Sequence, residues 1–266
     1  IFASVTVSSN EVYFPSDKEW VKSSPNKLGI DDSKVEQIIN LSFQDKATMS
    51  VVIIKDGKII GEKHAKGFNQ DSIGTSWSVA KSFYAALIGI SINKGEISSL
   101  DDPVSKYLDY FNDKRSNITI RDLLDMSSGL SYPRHQHEKM FFSKDHLEYS
   151  KSIPKTKEPG KKFEYNNVNS MLIGDILKQA TGINAEVLLK ERILDKIDTN
   201  SYKLWTDEAG NALTYCCIDM SARDFSRFGL LFANNGKWKN EQIIPKEFTD
   251  ETFQIVWDTP NWWTNH

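Results

Sequence analysis

The chain has little of what defines several large classes of protein. Its 266 residues carry a formal net charge of only −3 and contain two cysteines. No cluster of basic residues indicates a nucleic-acid partner, and no acidic tail is present. No uninterrupted apolar run has the length that a transmembrane helix needs. A composition of 39% hydrophobic and 26% charged residues then favours an ordinary globular protein.

The two cysteines, Cys216 and Cys217, are neighbours. Adjacent cysteines rarely bond to each other, and their spacing is not that of metal ligands. We therefore expect neither a disulfide framework nor a metal site at this pair. The first residues, IFASVTVSS, either end a secretion signal, which would place the protein in the periplasm or outside the cell, or belong to the first part of a longer chain.

The hydrophobic pattern predicts early strands followed mostly by helices. Two apolar runs around Lys-Asp-Gly-Lys predict a β-hairpin over 49–60. A long polar stretch, 131–162, is typical of an irregular loop, and such loops are often functional. Helical spacing and end signals predict helices over 29–43, 77–92, 101–111, 118–130, 169–182, 184–194 and 222–236.

This order indicates an α+β (mixed α/β) fold, with an antiparallel sheet flanked by helices plus an all-helical domain. We assign residues 1–75 to the N-terminal helix and first strands of the sheet domain. Residues 76–220 form the helical domain that carries the site, and 221–266 return toward the sheet.

The spacing Ser-x-x-Lys occurs four times, and one match stands out. Two matches, 24–27 and 152–155, contain an internal proline, and 91–94 runs into Gly95 at a helix end. Only Ser78–Lys81 opens a long helix that is predicted to be buried from its start, where residues one turn apart share a face. In one interpretation, Ser78 is a nucleophile and Lys81 its base, at a helix N-terminus that offers free N–H groups. An ordinary helix start with a lysine reaching out to solvent is the other.

A serine nucleophile beside a lysine needs a route for its proton. The lysine pKa must fall from ~10.4 to near 7, which desolvation by an apolar helix can partly achieve. Tyr165, in the Tyr-x-Asn triplet 165–167, is the candidate relay, because it follows a Pro-Gly turn and precedes a helix. A second such triplet lies at 110–112. Asn167 acts on the substrate side, caps the helix that starts near Val168, or does both.

Five segments together resemble the serine β-lactamase-like superfamily, in its class C β-lactamase and D,D-peptidase branch. The resemblance covers residues 30–250 and is strongest to 6-aminohexanoate-dimer hydrolase-like and esterase-like members. The segments occur in the order SWSVAKSF, DDPVSKYL, IRDLLDMSSGL, PGKKFEYNNVNSMLIGDILKQATG and SARDFSRFGLLFANNGKW.

The resemblance implies a role for each candidate residue. Ser78 would be the acylated nucleophile, Lys81 its base partner and Tyr165 the group that passes the proton to the leaving group. Asn167 would hold Lys81 and the substrate amide. The implied reaction is a two-step acyl transfer on a small-molecule amide or ester, without a metal or another cofactor.

Alternatives remain open at this point. The substrate could be a linear amide, a short-chain ester, a β-lactam or a D-alanyl peptide, and the protein could instead be a penicillin-recognising sensor or an inactive homologue. The third motif of the family, Lys- or His-x-Gly on a strand, is not found before His266. We therefore expect the chain to be incomplete at its C-terminal end and residues 1–266 alone to be inactive.

Side chains in the 131–162 stretch have two interpretations. Its aromatic residues either line a substrate cleft or anchor the loop: Tyr132, Phe141 and Phe142. Its histidines are expected to be solvated rather than bound to a metal: His135, His137 and His146.

Two further groups of residues are predicted to be structural. Arg223, Asp224 and Arg227 have the spacing of an ion-pair set on one helix. Trp262 and Trp263 are expected to pack against a segment that follows His266.

Overall fold

The computed structural model describes residues 12–16, 19–133, 136–199 and 201–257. The predictions for His135, Trp262 and Trp263 fall outside these residues, and the side chain of His137 is not described either. In the described part, no helix is both long enough and apolar enough to cross a membrane.

The chain forms a mixed α/β structure of short antiparallel sheets and many helices. The strands are β1 (Ser50–Lys55), β2 (Lys58–His64), β3 (Ile73–Thr75), β4 (Tyr202–Leu204), β5 (Ile218–Ser221), β6 (Lys237–Trp238) and β7 (Glu241–Gln242). The α-helices are α1 (Asp32–Ser42), α2 (Ala80–Asn93), α3 (Ile120–Leu124), α4 (Gln136–Phe141), α5 (His146–Lys151), α6 (Asn167–Thr181), α7 (Ala185–Leu189), α8 (Ala222–Ala233) and α9 (Lys246–Thr252).

The predicted hairpin is confirmed. Strands β1 and β2 pair antiparallel, with Val52 opposite Glu62, and the turn residues Asp56 and Gly57 both have positive φ. Asp-Gly tolerates this left-handed geometry, which matches the twist of a hairpin. Strand β2 continues beyond the predicted limit to His64.

A second sheet, which the sequence did not reveal, supports the start of α2. Its order is β3-β5-β4, all antiparallel, with Thr75 of β3 opposite Asp219 of β5. Strands of three or four residues are too short to show a convincing alternation of polar and apolar residues. Strand β3 ends only three residues before Ser78, so this sheet sets the entry into α2.

Helix α2 is the centre of the core. Phe83, Leu87 and Ile88 are fully buried, and the ring of Phe83 stacks on Phe228 of α8 with centroids 3.6 Å apart. A helix that is apolar on nearly every side is an interior helix. Gly89 allows the ring of Phe248 to approach, since a Cβ there would lie 2.4 Å from that ring.

Several predicted segments differ in the structure, among them the helix predicted over 118–130, which spans only Ile120–Leu124. The helix predicted over 101–111 is instead two 3₁₀ turns, Val104–Lys106 and Asp109–Phe111. Here the N–H of Val104 bonds to the carbonyl of Ile118, which draws the chain away from α-helical pairing. The stretch 131–162 is not irregular throughout, because it contains α4 and α5.

The expectation that the cysteines do not pair is wrong. Cys216 and Cys217 are paired as a disulfide between neighbours, and both residues are buried. Cys217 adopts a left-handed backbone conformation, with φ of 76°. The segment that carries the pair runs directly into β5.

The predicted ion-pair set is confirmed as structural, with one unexpected partner. Arg223 donates two hydrogen bonds, of 2.7 and 2.8 Å, to Glu62 on β2. Burial raises the pKa of Glu62, but its bonds to Arg223 and Lys22 outweigh this and lower that pKa to about 2. Arg227 is fully buried and lies 3.4 Å from Asp224. The bonds from Arg223 join α8 to the hairpin, whereas the contact between Arg227 and Asp224 lies within α8.

Candidate active site

Ser78 lies at the head of α2, in a 3₁₀ turn over Trp77–Val79 that precedes the α-helix. The sequence predicted a buried helix start, but all three residues of this turn are exposed. Ser76 fixes the turn, since its hydroxyl accepts the N–H of Ile218 at 2.9 Å and donates to the carbonyl of Trp77 at 3.0 Å. The serine hydroxyl is thereby held at a site open to solvent.

Lys81 lies one turn after Ser78, as the spacing predicted. Its Nζ is 3.0 Å from the Ser78 Oγ and donates a second bond, of 2.6 Å, to the backbone carbonyl of Tyr215. Burial lowers the pKa of Lys81 to about 7, because the charged ammonium loses hydration. A substantial fraction of Lys81 is therefore a neutral amine at neutral pH.

Tyr165 reaches Ser78 from the segment before α6. Its hydroxyl donates to the Ser78 Oγ at 2.6 Å, and its ring centroid lies 4.9 Å from the Nζ of Lys81. Burial raises the pKa of Tyr165, while the bond to Ser78 acts in the opposite direction. The structure thus brings together the three residues that the sequence singled out for catalysis.

This arrangement combines three functions at one oxygen atom. A neutral amine has a lone pair that can accept the serine proton, and a serine so assisted is a nucleophile. A phenol with a raised pKa keeps its proton at neutral pH and can donate it. The geometry therefore suits acyl transfer to the Ser78 hydroxyl.

Asn167 and Tyr132 form a second pair in the same region. The N-cap of α6 is Asn166, whose side chain accepts the N–H of Val168 at 2.9 Å, so the capping role considered for Asn167 belongs to its neighbour. Asn167 is the first residue of α6, and its side chain is hydrogen-bonded to Tyr132. Burial raises the pKa of Tyr132.

In the competing Ser-x-x-Lys matches, the side chains of Ser91 and Ser152 have structural hydrogen-bond partners. Ser24 is the N-cap residue of a 3₁₀ turn, and the fully buried Ser91 accepts a bond from Arg192 at 3.1 Å. Ser152 donates to the carbonyl of Tyr149.

The competing Tyr-x-Asn match is structural as well. The hydroxyl of Tyr110 donates to the buried Asp175 at 2.7 Å. This bond fastens the 3₁₀ turn that carries Tyr110 to α6, so Tyr110 has a role in packing.

His146 contradicts the expectation of a solvated histidine. It is buried, and its Nδ1 lies 3.0 Å from the hydroxyl of Tyr215. The side chain of Asp207 accepts the backbone N–H of His146 at 2.8 Å. Within the described ranges, no group of three or more His, Cys, Asp or Glu residues is placed to hold a metal ion.

The aromatic residues of the 131–162 stretch differ in exposure. Phe142 is 80% exposed and Phe141 40%, whereas Tyr132 is half-buried. The hydroxyl of Tyr132 also lies 3.5 Å from the sulfur of Met140 on α4. Tyr132 is thus fixed to α4 and α6 near the site, and the two phenylalanines remain open to solvent.

Sequence reasoning missed Tyr215 and Ser76. Tyr215 acts through its carbonyl, which every residue type possesses, so no residue pattern marks it. Ser76 is one of several serines near α2, and only the pairing of β3 with β5 gives it a partner in Ile218.

Comparison with known proteins identifies the family. The chain belongs to the beta-lactamase family, whose sequence profile matches residues 39–254. Among curated relatives, a D-aminopeptidase of Brucella anthropi is 29% identical over 177 residues, which are 60% of this chain and 33% of the relative. A teichoic acid D-alanine hydrolase of Staphylococcus aureus is 26% identical over 196 residues, which are 66% of this chain and 46% of the relative.

Solved structures show the same fold. A Bacillus anthracis protein proposed to be a 6-aminohexanoate-dimer hydrolase superposes with a TM-score of 0.75 at 21% identity, covering 91% of this chain and 70% of that one. The predicted membership of the serine β-lactamase-like superfamily is confirmed, and the Bacillus anthracis structure shares its fold. This chain spans between a third and a half of the length of these two curated relatives.

Proposed function

We propose that the protein is a serine hydrolase that cleaves a small amide or ester through an acyl-enzyme intermediate on Ser78. One observation carries the proposal: the Ser78 Oγ is within hydrogen-bond distance of both the Lys81 Nζ and the Tyr165 hydroxyl. An amine and a phenol on one exposed hydroxyl serve no evident packing purpose. Each has a defined task in acyl transfer.

In the proposed first step, neutral Lys81 takes the proton of Ser78 as the oxygen attacks the substrate carbonyl. The new bond joins the Ser78 Oγ to the carbonyl carbon, and the carbonyl oxygen becomes an oxyanion. Tyr165 then gives a proton to the leaving amine or alcohol as the bond to that group breaks, and the proton on Lys81 replaces it. In the second step neutral Lys81 takes a proton from water as the water oxygen attacks the acyl carbon. The bond between that carbon and the Ser78 Oγ breaks, the proton returns from Lys81 to the Oγ, and the carboxylic acid leaves.

The backbone of the nucleophile is the proposed source of one oxyanion donor. The first N–H groups of a helix have no acceptor within that helix and carry the positive end of its dipole. The N–H of Ser78, at the head of α2, is one of these groups. A preorganised donor of this kind typically contributes about 10²–10³ in kcat.

Asn167 and Tyr132 are proposed to bind the substrate. The two side chains are hydrogen-bonded to each other. Asn167 begins the helix that directly follows Tyr165, and we expect its amide to bind the substrate. The name of the Staphylococcus aureus relative, teichoic acid D-alanine hydrolase, supports including D-alanine amides and esters among the first substrates tested.

Active-site labelling tests the proposal. The full-length protein is treated with a fluorophosphonate, and the adduct is located by mass spectrometry. We expect one adduct on Ser78, absent in Ser78→Ala. The matched control is Ser24→Ala, which removes the serine of another Ser-x-x-Lys match and should label like wild type. Labelling that persists in Ser78→Ala would reject Ser78 as the nucleophile.

Turnover distinguishes a hydrolase from a slowly deacylating binder. The protein is incubated with p-nitrophenyl acetate, D-alanine p-nitroanilide and a fluorescent penicillin. A hydrolase releases many equivalents of p-nitrophenol per active site. A sensor gives one burst equivalent and a long-lived adduct, and that outcome would contradict the proposed function.

A further inference from the structure

Four consecutive residues form a support for the head of α2. We call Tyr215–Ile218 the cradle. The carbonyl of Tyr215 accepts a bond from Lys81 at 2.6 Å, and the N–H of Cys217 donates to the carbonyl of Trp77 at 3.3 Å. These bonds reach the residue directly before the nucleophile and the lysine one turn after it. The cradle therefore contacts the site from both sides.

The last residue of the cradle, Ile218, holds the cradle against Ser76. The N–H of Ser76 donates to the carbonyl of Ile218 at 2.8 Å, and the N–H of Ile218 donates to the Ser76 hydroxyl at 2.9 Å. The same Ser76 hydroxyl donates to the carbonyl of Trp77. A shift of the cradle would break these bonds together, so its backbone conformation decides where Ser78 and Lys81 stand.

The cysteine pair lies in the middle of the cradle. Cys216 and Cys217 are 4% and 2% exposed, and they are paired as a disulfide. Cys217 has φ of 76°, in the left-handed region that residues other than glycine adopt rarely and that persists only where the surroundings enforce it. A bridge between adjacent cysteines closes a small ring that contains the peptide bond between them. Such a ring restricts the backbone rotations of both residues.

We propose that Cys216 and Cys217 are positioning residues for Ser78 and Lys81. Their bridge holds the cradle in the conformation that presents the Tyr215 carbonyl to the Lys81 Nζ and the Cys217 N–H to the Trp77 carbonyl. The inference rests on the proposed function for its kinetic consequence. Its structural consequence, the environment of Lys81, can be measured whether or not the protein is a hydrolase.

Loss of the bridge has a defined expected effect. Without it, residue 217 is free to leave the left-handed region, and the Tyr215 carbonyl turns away from Lys81. Lys81 then loses an acceptor and gains water. Misplacement of a reacting group by about 1 Å can cost about 10²-fold in rate. We therefore expect kcat to fall about ten- to hundredfold with KM little changed.

The experiment compares two double variants of the full-length protein. Cys216→Ser/Cys217→Ser removes the bridge and keeps a side chain at 217, whereas Cys216→Ser/Cys217→Gly removes the bridge and supplies a residue that adopts positive φ freely. We expect the first to lose activity and the second to regain most of it. A purely structural role for the sulfurs would give the opposite order, because glycine packs less than serine.

Two readouts separate the outcomes. Kinetics on p-nitrophenyl acetate give kcat and KM, and ¹³C-lysine NMR gives the titration of Lys81, assigned by its absence in Lys81→Arg. Loss of the Tyr215 carbonyl would by itself lower the pKa of Lys81, but burial is the cause of its low pKa, so the gain of water dominates. The inference therefore expects Lys81 to titrate at higher pH in the Ser/Ser variant than in wild type. An unchanged titration would overturn it. Wild type without turnover or Ser78 labelling would reject the proposed function, and the titration would still decide the inference.

A third measurement covers failure of the Ser/Ser variant to fold. The active wild type is denatured without reductant and treated with N-ethylmaleimide, and mass spectrometry then counts the adducts on the protein. No adduct shows that Cys216 and Cys217 are bridged, as the inference requires. Two adducts on a fully active protein would mean that activity does not need the bridge, and this result would reject the inference.

Discussion

The pH dependence of acylation is the sharpest test of the Lys81 assignment. An ordinary lysine, with a pKa of 10.5, is neutral in only about 1 molecule in 3,000 at pH 7. Burial beside α2 lowers the pKa of Lys81 to about 7, so about half of the molecules carry the neutral base. The difference corresponds to roughly 5 kcal/mol of preference for the neutral amine, at ~1.36 kcal/mol per pKa unit.

The perturbation is a change of pH, and the observable is kcat/KM for p-nitrophenyl acetate. Below pH 7 protonation removes the base, so kcat/KM should fall about tenfold per pH unit toward pH 5. Between pH 8 and 9.5 it should be flat, because Lys81 is neutral and the raised pKa of Tyr165 keeps its phenol protonated. Subtraction of the Ser78→Ala rate removes hydrolysis by other groups.

Lys81→Arg is the matched variant, because arginine keeps the positive charge but does not lose its proton in proteins. It should lose about 10²–10⁴ in kcat at every pH. Two results would refute the reasoning. One is a kcat/KM that rises tenfold per unit from pH 7 to 10, which would mean an unperturbed lysine. The other is Lys81→Arg within tenfold of wild type, which would mean that no base is needed there.

Three further predictions follow from the same geometry. Lys81→Met should raise the free energy of unfolding at pH 6 by up to about 5 kcal/mol. In wild type, the unfolded chain binds more protons than the folded one between pH 7 and 10.5. Lys81 therefore destabilises the fold fully below pH 7, and this destabilisation disappears as the pH rises to 10.5. Urea unfolding at pH 6 and pH 10 measures it, and an equal difference at both values would contradict it. Tyr165→Phe should lower kcat by about 10²–10⁴ with a melting temperature near that of wild type, and activity within tenfold would reject the relay role. Replacement of Tyr132, Phe141 and Phe142 by Ala should change kcat/KM for esters relative to amides while Ser78 labelling by a small fluorophosphonate stays nearly constant; a uniform loss on all of them would mean that these side chains serve structure instead.

The elements that local spacing controls were predictable from the sequence. The apolar run from Phe83 to Ile92 predicts a buried helix, and Asp-Gly between two apolar runs predicts the hairpin, because both signals involve residues a few positions apart. The Ser78–Lys81 pair belongs to this group, since one helical turn brings it together. The local context of its Tyr-x-Asn triplet made Tyr165 a candidate, and the family resemblance implied its role. No local pattern could have shown that it contacts Ser78, 87 residues away.

The contacts that complete the site were decided only by the tertiary structure. Lys81 and Tyr215 are 134 residues apart, and they meet because β5 pairs with β3 just before α2. The 3₁₀ turn that exposes Ser78, the capping of α6 by Asn166 and the burial of His146 against Tyr215 arise in the same way. Each of these features depends on long-range packing, which determines the backbone groups and cavities that a side chain can reach. Periodicity along the chain, which records only near neighbours, carries no information about that choice.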